Sequence, residues 1–301
     1  MLFDLRRVRA FLAVAEELSF TRAAERLGIA QQQLSQSVAR LEADVGGQLF
    51  SRSTRKVALT EAGASLYGDL LDLLSRIEQA EHKALRAARG ETGRIAIGAG
   101  SYAIDSVLPE ILNRFHASFP DVHIALYEHH TAEQIDALRR GEIDVAFTIE
   151  PPAHDDLRAE TMHSGPFAIV TSANEAVGTP PVRLEDFRDR TFVAAPPHLS
   201  PGLHEAKAAV FRDAGFEPNV VQHAVQTSTL LALVAAGVGV MLTPDSPRPT
   251  LRPGIRYVAL RSARRVTLAM VVRAEREPGA VLRNWCAIAR AVRDEEGWPA
   301  A

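Results

Sequence analysis

The sequence predicts an α/β protein headed by a small all-α segment, and three observations carry that prediction. Residues 5–45 hold three helical periodicities in succession, with a glycine at one of the turns. Residues 61–90 hold one long helical stretch. From Gly93 onward, short apolar runs alternate with helical patterns, the texture of α/β architecture with mainly parallel sheets. At 301 residues the chain is long for one core and suits two or three units. A hydrophobic fraction of 47% with 24% charged residues is ordinary globular composition, so neither a disordered nor a membrane class is indicated.

The first helix is expected over 5–17, with Val8, Phe11, Leu12 and Ala15 on one face. The second and third lie in 19-SFTRAAERLGIAQQQLSQSVARLE-42, separated by a turn at Gly28. Ala23 and Ala24 are small where one helix presses on another. Leu34, Val38, Leu41 and Val45 recur at helical spacing on one face of the third helix. Its opposite face carries Gln32, Ser35, Gln36 and Ala39, so short amides and hydroxyls point outward near its start.

Next, Arg52, Arg55 and Lys56 cluster before the alternating Val57 and Leu59, which reads as a two-stranded wing. Thr60 suits an N-cap for a long helix stopping at Gly90. Inside it, Leu66, Leu70, Leu73, Ile77, Ala80, Ala84 and Ala87 form a heptad seam. A second copy of the chain is its natural partner, the alternative being a seam packed on its own domain. Strands follow at 94–98, 122–128, 143–149, 167–172 and 238–242. Helical patterns lie near 104–118, 132–140, 203–214 and 227–236. Pro180-Pro181, Pro196-Pro197 and 247-PRPTLRPG-254 mark loops.

Several chemistries are disfavoured. Arg6-Arg7 before 10-AFLAVA-15 imitates an export signal, but the apolar run falls short of the usual ~7–15 residues and Glu16-Glu17 end it. The run 230-LLALVAAGVGVML-242 is too short to span a bilayer. A cytoplasmic protein without membrane association is expected. The single Cys286 leaves no disulfide framework or cysteine metal cluster. The stretch 98-GAGSYA-103 fits a dinucleotide fingerprint loosely, because Glu128 comes about eight residues later than the ~20-residue spacing of a ribose-binding acid. A turn whose amides hold a small anion is the preferred reading. His129-His130 invites a metal, yet adjacent residues of an extended strand point to opposite faces. No nucleophile–base pair is evident, and no catalytic residue, metal or cofactor is expected. A dinucleotide-dependent enzyme is the alternative, and a solute-binding module is a third class that has no use for residues 1–60.

Residues 1–60 hold nine Lys/Arg and six Asp/Glu, a net of +3, while the remainder carries −6. A mildly basic head suits nucleic acid. The order of Phe11, Ser19 to Thr21, Ala23-Ala24, Leu27, Gln31, Leu34-Ser35, Leu41-Glu42, Leu49-Phe50, Arg52, Leu59-Thr60 and Ala62-Gly63 resembles the winged helix-turn-helix of LysR-type transcriptional regulators. Gln32-Gln33 depart from that pattern, where relatives often have proline. The rest of the chain is similar to the family's two-lobed effector domain, which is periplasmic-binding-protein-like. The stretches 108-LPEILNRFHASFPDVHIAL-126, 138-LRRGEIDVAF-147 and 233-LVAAGVGVMLTP-244 carry that likeness. The combination 29-IAQ-31, 100-GS-101, 127-YEHHT-131 and 235-AAG-237 looks most like the branch responding to benzoate, muconate and related aromatic-degradation acids.

The resemblance implies a DNA-binding head over 1–60, a linker helix for dimerisation over 61–90 and a regulatory domain over 91–301. Lobe one is expected at 91–163 with 269–301, and lobe two at 164–268. Crossover strands near 157–166 and 264–272 are expected to form the hinge. A recognition helix reads bases near its N-terminus, so Gln31, Gln32, Ser35 and Gln36 are the candidate readers. Arg52, Arg55 and Lys56 would hold phosphate or enter the minor groove. Ser101 and Thr131 would donate to an effector carboxylate, with Tyr102 and Phe147 as walls. The loop from Pro196 and Pro197 to Leu203 would add backbone amides, and Gln226 a side-chain amide. The expected partners are double-stranded promoter DNA, a small organic acid effector, further copies in a homodimer and homotetramer, and RNA polymerase.

Overall fold

In a computed structural model, the structure describes residues 4–53, 56–245, 252–274 and 278–296. It divides into two compact units, residues 1–85 and 86–301.

The first unit begins with α1 (Leu5–Glu17), α2 (Phe20–Leu27) and α3 (Gln31–Val45). Asp4 caps α1 by accepting from the Arg6 amide, and Ser19 caps α2 by accepting from the Arg22 amide. Gly28 closes α2 at φ 65°, a left-handed conformation that glycine adopts without strain. Phe11, Ala23, Ala24, Leu34, Val38 and Leu41 are buried together. Val45, expected on that buried face, is 40% exposed, because the end of α3 runs past this core before Gly46 caps it.

The wing is a hairpin of β1 (Phe50–Ser53) and β2 (Lys56–Leu59). Glu42 anchors it, its Oε1 accepting from the amides of Leu49 at 2.9 Å and Phe50 at 3.2 Å. Then α4 runs over Glu61–Ala88. The Thr60 hydroxyl accepts from the Gly63 amide at 3.0 Å and donates to the Gln48 carbonyl at 2.7 Å, tying the start of α4 beneath the wing. A Cβ at Gly63 would stand 2.1 Å from the Leu49 carbonyl oxygen, so only glycine fits there. The expected seam divides. Leu70 is buried in the core of the first unit with Leu66 packed against it, whereas Leu73 is 43% exposed and Ala80 and Ala84 are exposed.

The second unit opens with β3 (Gly93–Ala99), α5 (Ser101–Asp105), α6 (Leu108–Ser118), β4 (Val122–Glu128), α7 (Thr131–Arg140), β5 (Val145–Ile149) and β6 (Leu157–Gly165). The helix expected at 104–118 is two helices. Pro109 lacks an amide proton and starts a fresh first turn in α6. Next come β7 (Phe167–Ser172), β8 (Thr191–Ala194), α8 (Pro201–Asp213), β9 (Asn219–His223), α9 (Thr227–Ala235) and β10 (Met241–Pro244). The unit ends with β11 (Ile255–Ala259), β12 (Val266–Arg273) and α10 (Ala280–Glu295). Residues 247–251 of the expected proline-marked loop lie outside the described residues.

One sheet has the order β4-β3-β5-β12-β6. Its buried face meets α6 and α10, where Phe115 stacks edge-on against Trp285 at 5.0 Å. A second body holds β10-β7-β11 and the pair β8-β9. The strands β6 and β12 pair antiparallel and carry the chain between the two bodies, since only Pro166 separates β6 from β7. Mainly parallel sheets were expected, and the topology is mixed. β3 pairs parallel with β4 and β5, but β12 is antiparallel to β5 and β6, and β7 is antiparallel to β10 and β11. The mixture arises because β12 returns from the second body and must enter the first sheet against its direction.

Candidate functional site

In the first unit, α3 presents Gln32 and Gln36 exposed and Ser35 half-buried on the side away from the buried Leu34, Val38 and Leu41, while Gln31 is exposed as the first residue of the helix. The N-cap is Ala30, which has no side-chain oxygen, so the first amides of α3 are not claimed by a cap. Arg40, one turn beyond Gln36 on the same side, is exposed as well and does not stand out in the sequence. Nearby cations are less available. Arg22 pairs with Glu17 at 3.3 Å, and Arg26 pairs with Glu16, whose carboxylate holds the guanidinium pKa above its ordinary value. Arg52 and Lys56 sit on the two wing strands, but their side chains, and Arg55 altogether, lie outside the described residues.

In the second unit, a cavity of about 180 Å³ opens between the two sheet bodies. Ser101 follows β3 and Thr131 follows β4, so both reach the carboxyl edge of the parallel strands, where open α/β sheets bind ligands. Ser101, Tyr102, Thr131, Phe147, Pro196 and Leu203 all line this cavity. Pro197 and Gln226 do not. Pro197 is exposed on a short 3-10 turn, and Gln226 is the exposed N-cap of α9, which turns Thr227 into the cavity instead.

The hydroxyls are not equivalent. Ser101 donates to Glu128 Oε1 at 2.9 Å, so its proton is already committed to a carboxylate. Thr131 is 6% exposed and accepts from the Ser200 hydroxyl at 3.4 Å, which leaves its own proton to give. That contact and the Tyr102 hydroxyl donating to the Asp245 carbonyl at 2.9 Å both cross between the bodies. Burial, with the Asp245 charge, drives the Tyr102 pKa upward, so it remains a neutral donor. Gly202 brings the start of α8 close to the end of β5, for a Cβ there would meet the Glu150 carbonyl oxygen at 2.4 Å. Pro201 has no amide proton, and α8 carries no side-chain cap, so Gly202 and Leu203 hold its first free amides.

His129 and His130 both line the cavity rather than facing opposite ways, because they stand past the end of β4 in the turn before α7. His129 stacks flat on Tyr127, with ring centroids 6.0 Å apart. Among the described residues no cluster of three or more His, Cys, Asp or Glu could hold a metal ion. No helix of the described residues is long and apolar enough to cross a membrane. Lys207 and His204 also line the cavity. His204, which the sequence places at the start of a helix as a solvated residue, directly follows Leu203, and Lys207, which carries no sequence signal, lies one turn beyond Leu203 on α8.

Comparison with known proteins agrees with this layout. Residues 5–64 match the bacterial regulatory helix-turn-helix protein, lysR family, and residues 88–294 match the LysR substrate binding domain. The chain is 37% identical over 261 residues to the HTH-type transcriptional regulator IlvR of Caulobacter vibrioides, covering 85% of this chain and 88% of that one. It is 32% identical to BenM of Acinetobacter baylyi, covering 85% of each. The crystal structure of CbnR, a LysR family transcriptional regulator, matches with a TM-score of 0.86 at 25% identity, covering 96% of this chain and 100% of that one. Full-length CbnR complexed with its target DNA matches with a TM-score of 0.82 at 25% identity, covering 97% of this chain and 100% of that one. These relatives are named as transcriptional regulators, not as enzymes, and the dinucleotide-enzyme alternative gains no support. An outward amide-bearing helix beside a wing, and a second unit with a cavity between two α/β bodies, therefore have one explanation: the chain belongs to the LysR family of DNA-binding transcriptional regulators.

Proposed function

We propose that this regulator's grip on promoter DNA is controlled by a small carboxylate bound in the cavity of its second unit. Gln31, Gln32, Ser35 and Gln36 read base edges in the major groove, where glutamine can bond bidentately to adenine. Arg52, Arg55 and Lys56 hold phosphate or the minor groove. The head spans 1–60, the linker helix 61–90 and the regulatory domain 91–301, with lobe one at 91–163 and 269–301 and lobe two at 164–268. Linker helices of two copies pair along the exposed part of the α4 seam, and two such pairs form a tetramer that bends an interrupted palindrome. The protein works in the cytoplasm, with RNA polymerase as its further partner.

Support for effector control is the cavity itself, which joins hydroxyl and amide donors to apolar walls at the carboxyl edge of a parallel sheet. The stretches 29-IAQ-31, 127-YEHHT-131 and 235-AAG-237 favour an aromatic-degradation acid as the ligand. A mobility-shift assay on the DNA upstream of the chain's own gene, repeated with a panel of aromatic acids, tests the reading. A shift that responds to one of the acids is expected. A shift indifferent to all of them would remove the aromatic class.

A further inference from the structure

Lys207 stands on the cavity wall that α8 supplies. Ser200, Leu203, His204 and Lys207 recur at helical spacing, so one face of this helix is turned to the cavity. Among the described residues the Lys207 ammonium has no hydrogen-bond or ion-pair partner, although Arg212 and Arg264 close by in the same body are paired with Glu205 and Asp213. Among the described residues no arginine lines the cavity, and the other basic groups in its wall are His129, His130 and His204. Lys207 is half-buried, and a charge partly withdrawn from water without a partner is costly. Burial accordingly pushes the Lys207 pKa down from 10.5 to about 8.

Resting on the reading of this cavity as the effector site, we propose that Lys207 is its charged contact and that the effector is a small organic monoanion. A lysine side chain on a helix leans back toward the helix N-terminus. That direction leads to the Ser200–Thr131 contact, where Thr131 retains a proton to donate. One carboxylate placed there accepts from both Lys207 and Thr131, while Phe147, Ile149, Leu230 and Met241 cover its apolar body. The charge count sets the class. Among the described residues the wall offers one formal cation, and the carboxylate of Asp105 also lines the cavity, so a second negative charge on the ligand would go unmatched by them. Phosphate is disfavoured for a related reason, since among the described residues no guanidinium fork lines the cavity to hold it.

Pairing with an anion raises the Lys207 pKa above its value in the empty cavity. Anion affinity is therefore full below about pH 8 and falls roughly tenfold per pH unit above it, until the pKa of the bound state is passed. The other titratable groups around the cavity are Tyr102 and Asp105 on α5, His129 and His130 before α7, His204 on α8 and Tyr257 on β11.

The chain has three lysines, Lys56, Lys83 and Lys207, which makes a direct test practical. Competitive acetylation of the full chain with acetic anhydride between pH 6 and 10 would be read by mass spectrometry at each lysine. Propionate, 2-oxobutyrate, benzoate and salicylate would be the anions, with benzamide and succinate as controls. Lys207 should titrate well below the exposed Lys83, and at least one monocarboxylate should protect it while benzamide does not. Calorimetry with that monocarboxylate should show Lys207→Met weakened roughly ten- to a hundredfold. Lys207→Arg should bind with no fall in affinity above pH 8. Protection by none of the four anions would overturn the proposal, and so would stronger protection by succinate than by any of them. Equal binding by Lys207→Met and the parent would remove Lys207 while leaving the cavity as the site. If Ser101→Ala with Thr131→Ala also bound as the parent does, the cavity reading would fall with it.

Discussion

Gly202 shows how much one residue can decide here. Its missing Cβ lets α8 approach the Glu150 carbonyl oxygen, and Glu150 is itself bound to β12, its carboxylate accepting from the Thr267 amide at 2.6 Å. Gly202→Ala should force the two bodies apart at the cavity, costing about 1–3 kcal/mol of stability as overpacking does. Denaturant unfolding would measure it, and an unchanged midpoint would mean the close approach is easily relaxed. On the DNA side, Gln31→Ala should cost roughly 1–3 kcal/mol at the specific site only. Arg55→Ala should weaken all sites alike and flatten the salt dependence by about 0.9 log unit for each phosphate it no longer neutralises. Equal loss of non-specific binding in both variants, measured by salt-dependent titration, would contradict that division. Ser101 and Thr131 were legible as residues of βα turns, because strand ends are visible in the hydropathy pattern, and Tyr102, Phe147, Pro196 and Leu203 line the cavity as well. Lys207 was not legible, since a lone lysine inside a helix looks solvated until the fold curls that face around a cavity. Glu128 as the acceptor of the Ser101 proton was hidden too, being a pairing across 27 residues of chain.

At the scale of elements, the single heptad pattern of α4 covers a buried part and an exposed part. Leu70 belongs to the buried core of the first unit, while Leu73, Ala80 and Ala84 are exposed along the helix. Leu73→Asp should thus break dimers and leave the head folded, whereas Leu70→Asp should unfold the head. Sedimentation with circular dichroism would separate the two outcomes, and an oligomer unchanged by Leu73→Asp would move the interface elsewhere. Helix limits were legible where a cap or a left-handed glycine marks them, as at Gly28 and Thr60. The strands β8, β9 and β11 were not foreseen. They are four or five residues long, and β9 is exposed along most of its length, so neither alternation nor an apolar run announces them. Antiparallel pairing of β12 was also illegible, because it follows from where the returning chain must enter the sheet.

For the whole molecule, the basic excess is confined to residues 1–60, the segment that carries the recognition helix and the wing, while the start of α4 brings the whole first unit back to neutrality. Coupling between them is limited by how differently the ligand binds the two states of the assembly. A hydroxyl bonded to a charged carboxylate is worth about 1.5–3 kcal/mol, roughly ten- to a hundredfold in affinity. Thr131 should carry more of this than Ser101, whose proton is held by Glu128 in the absence of ligand. Neither residue belongs to the unit that carries the recognition helix. The most direct test is therefore footprinting of the promoter by Ser101→Ala with Thr131→Ala, with and without the acid that shifts the parent. Effector-free protection should match the parent, and the shift should be missing at the concentration that saturates the parent. A footprint that still moved at that concentration would show that the ligand acts from somewhere other than this cavity.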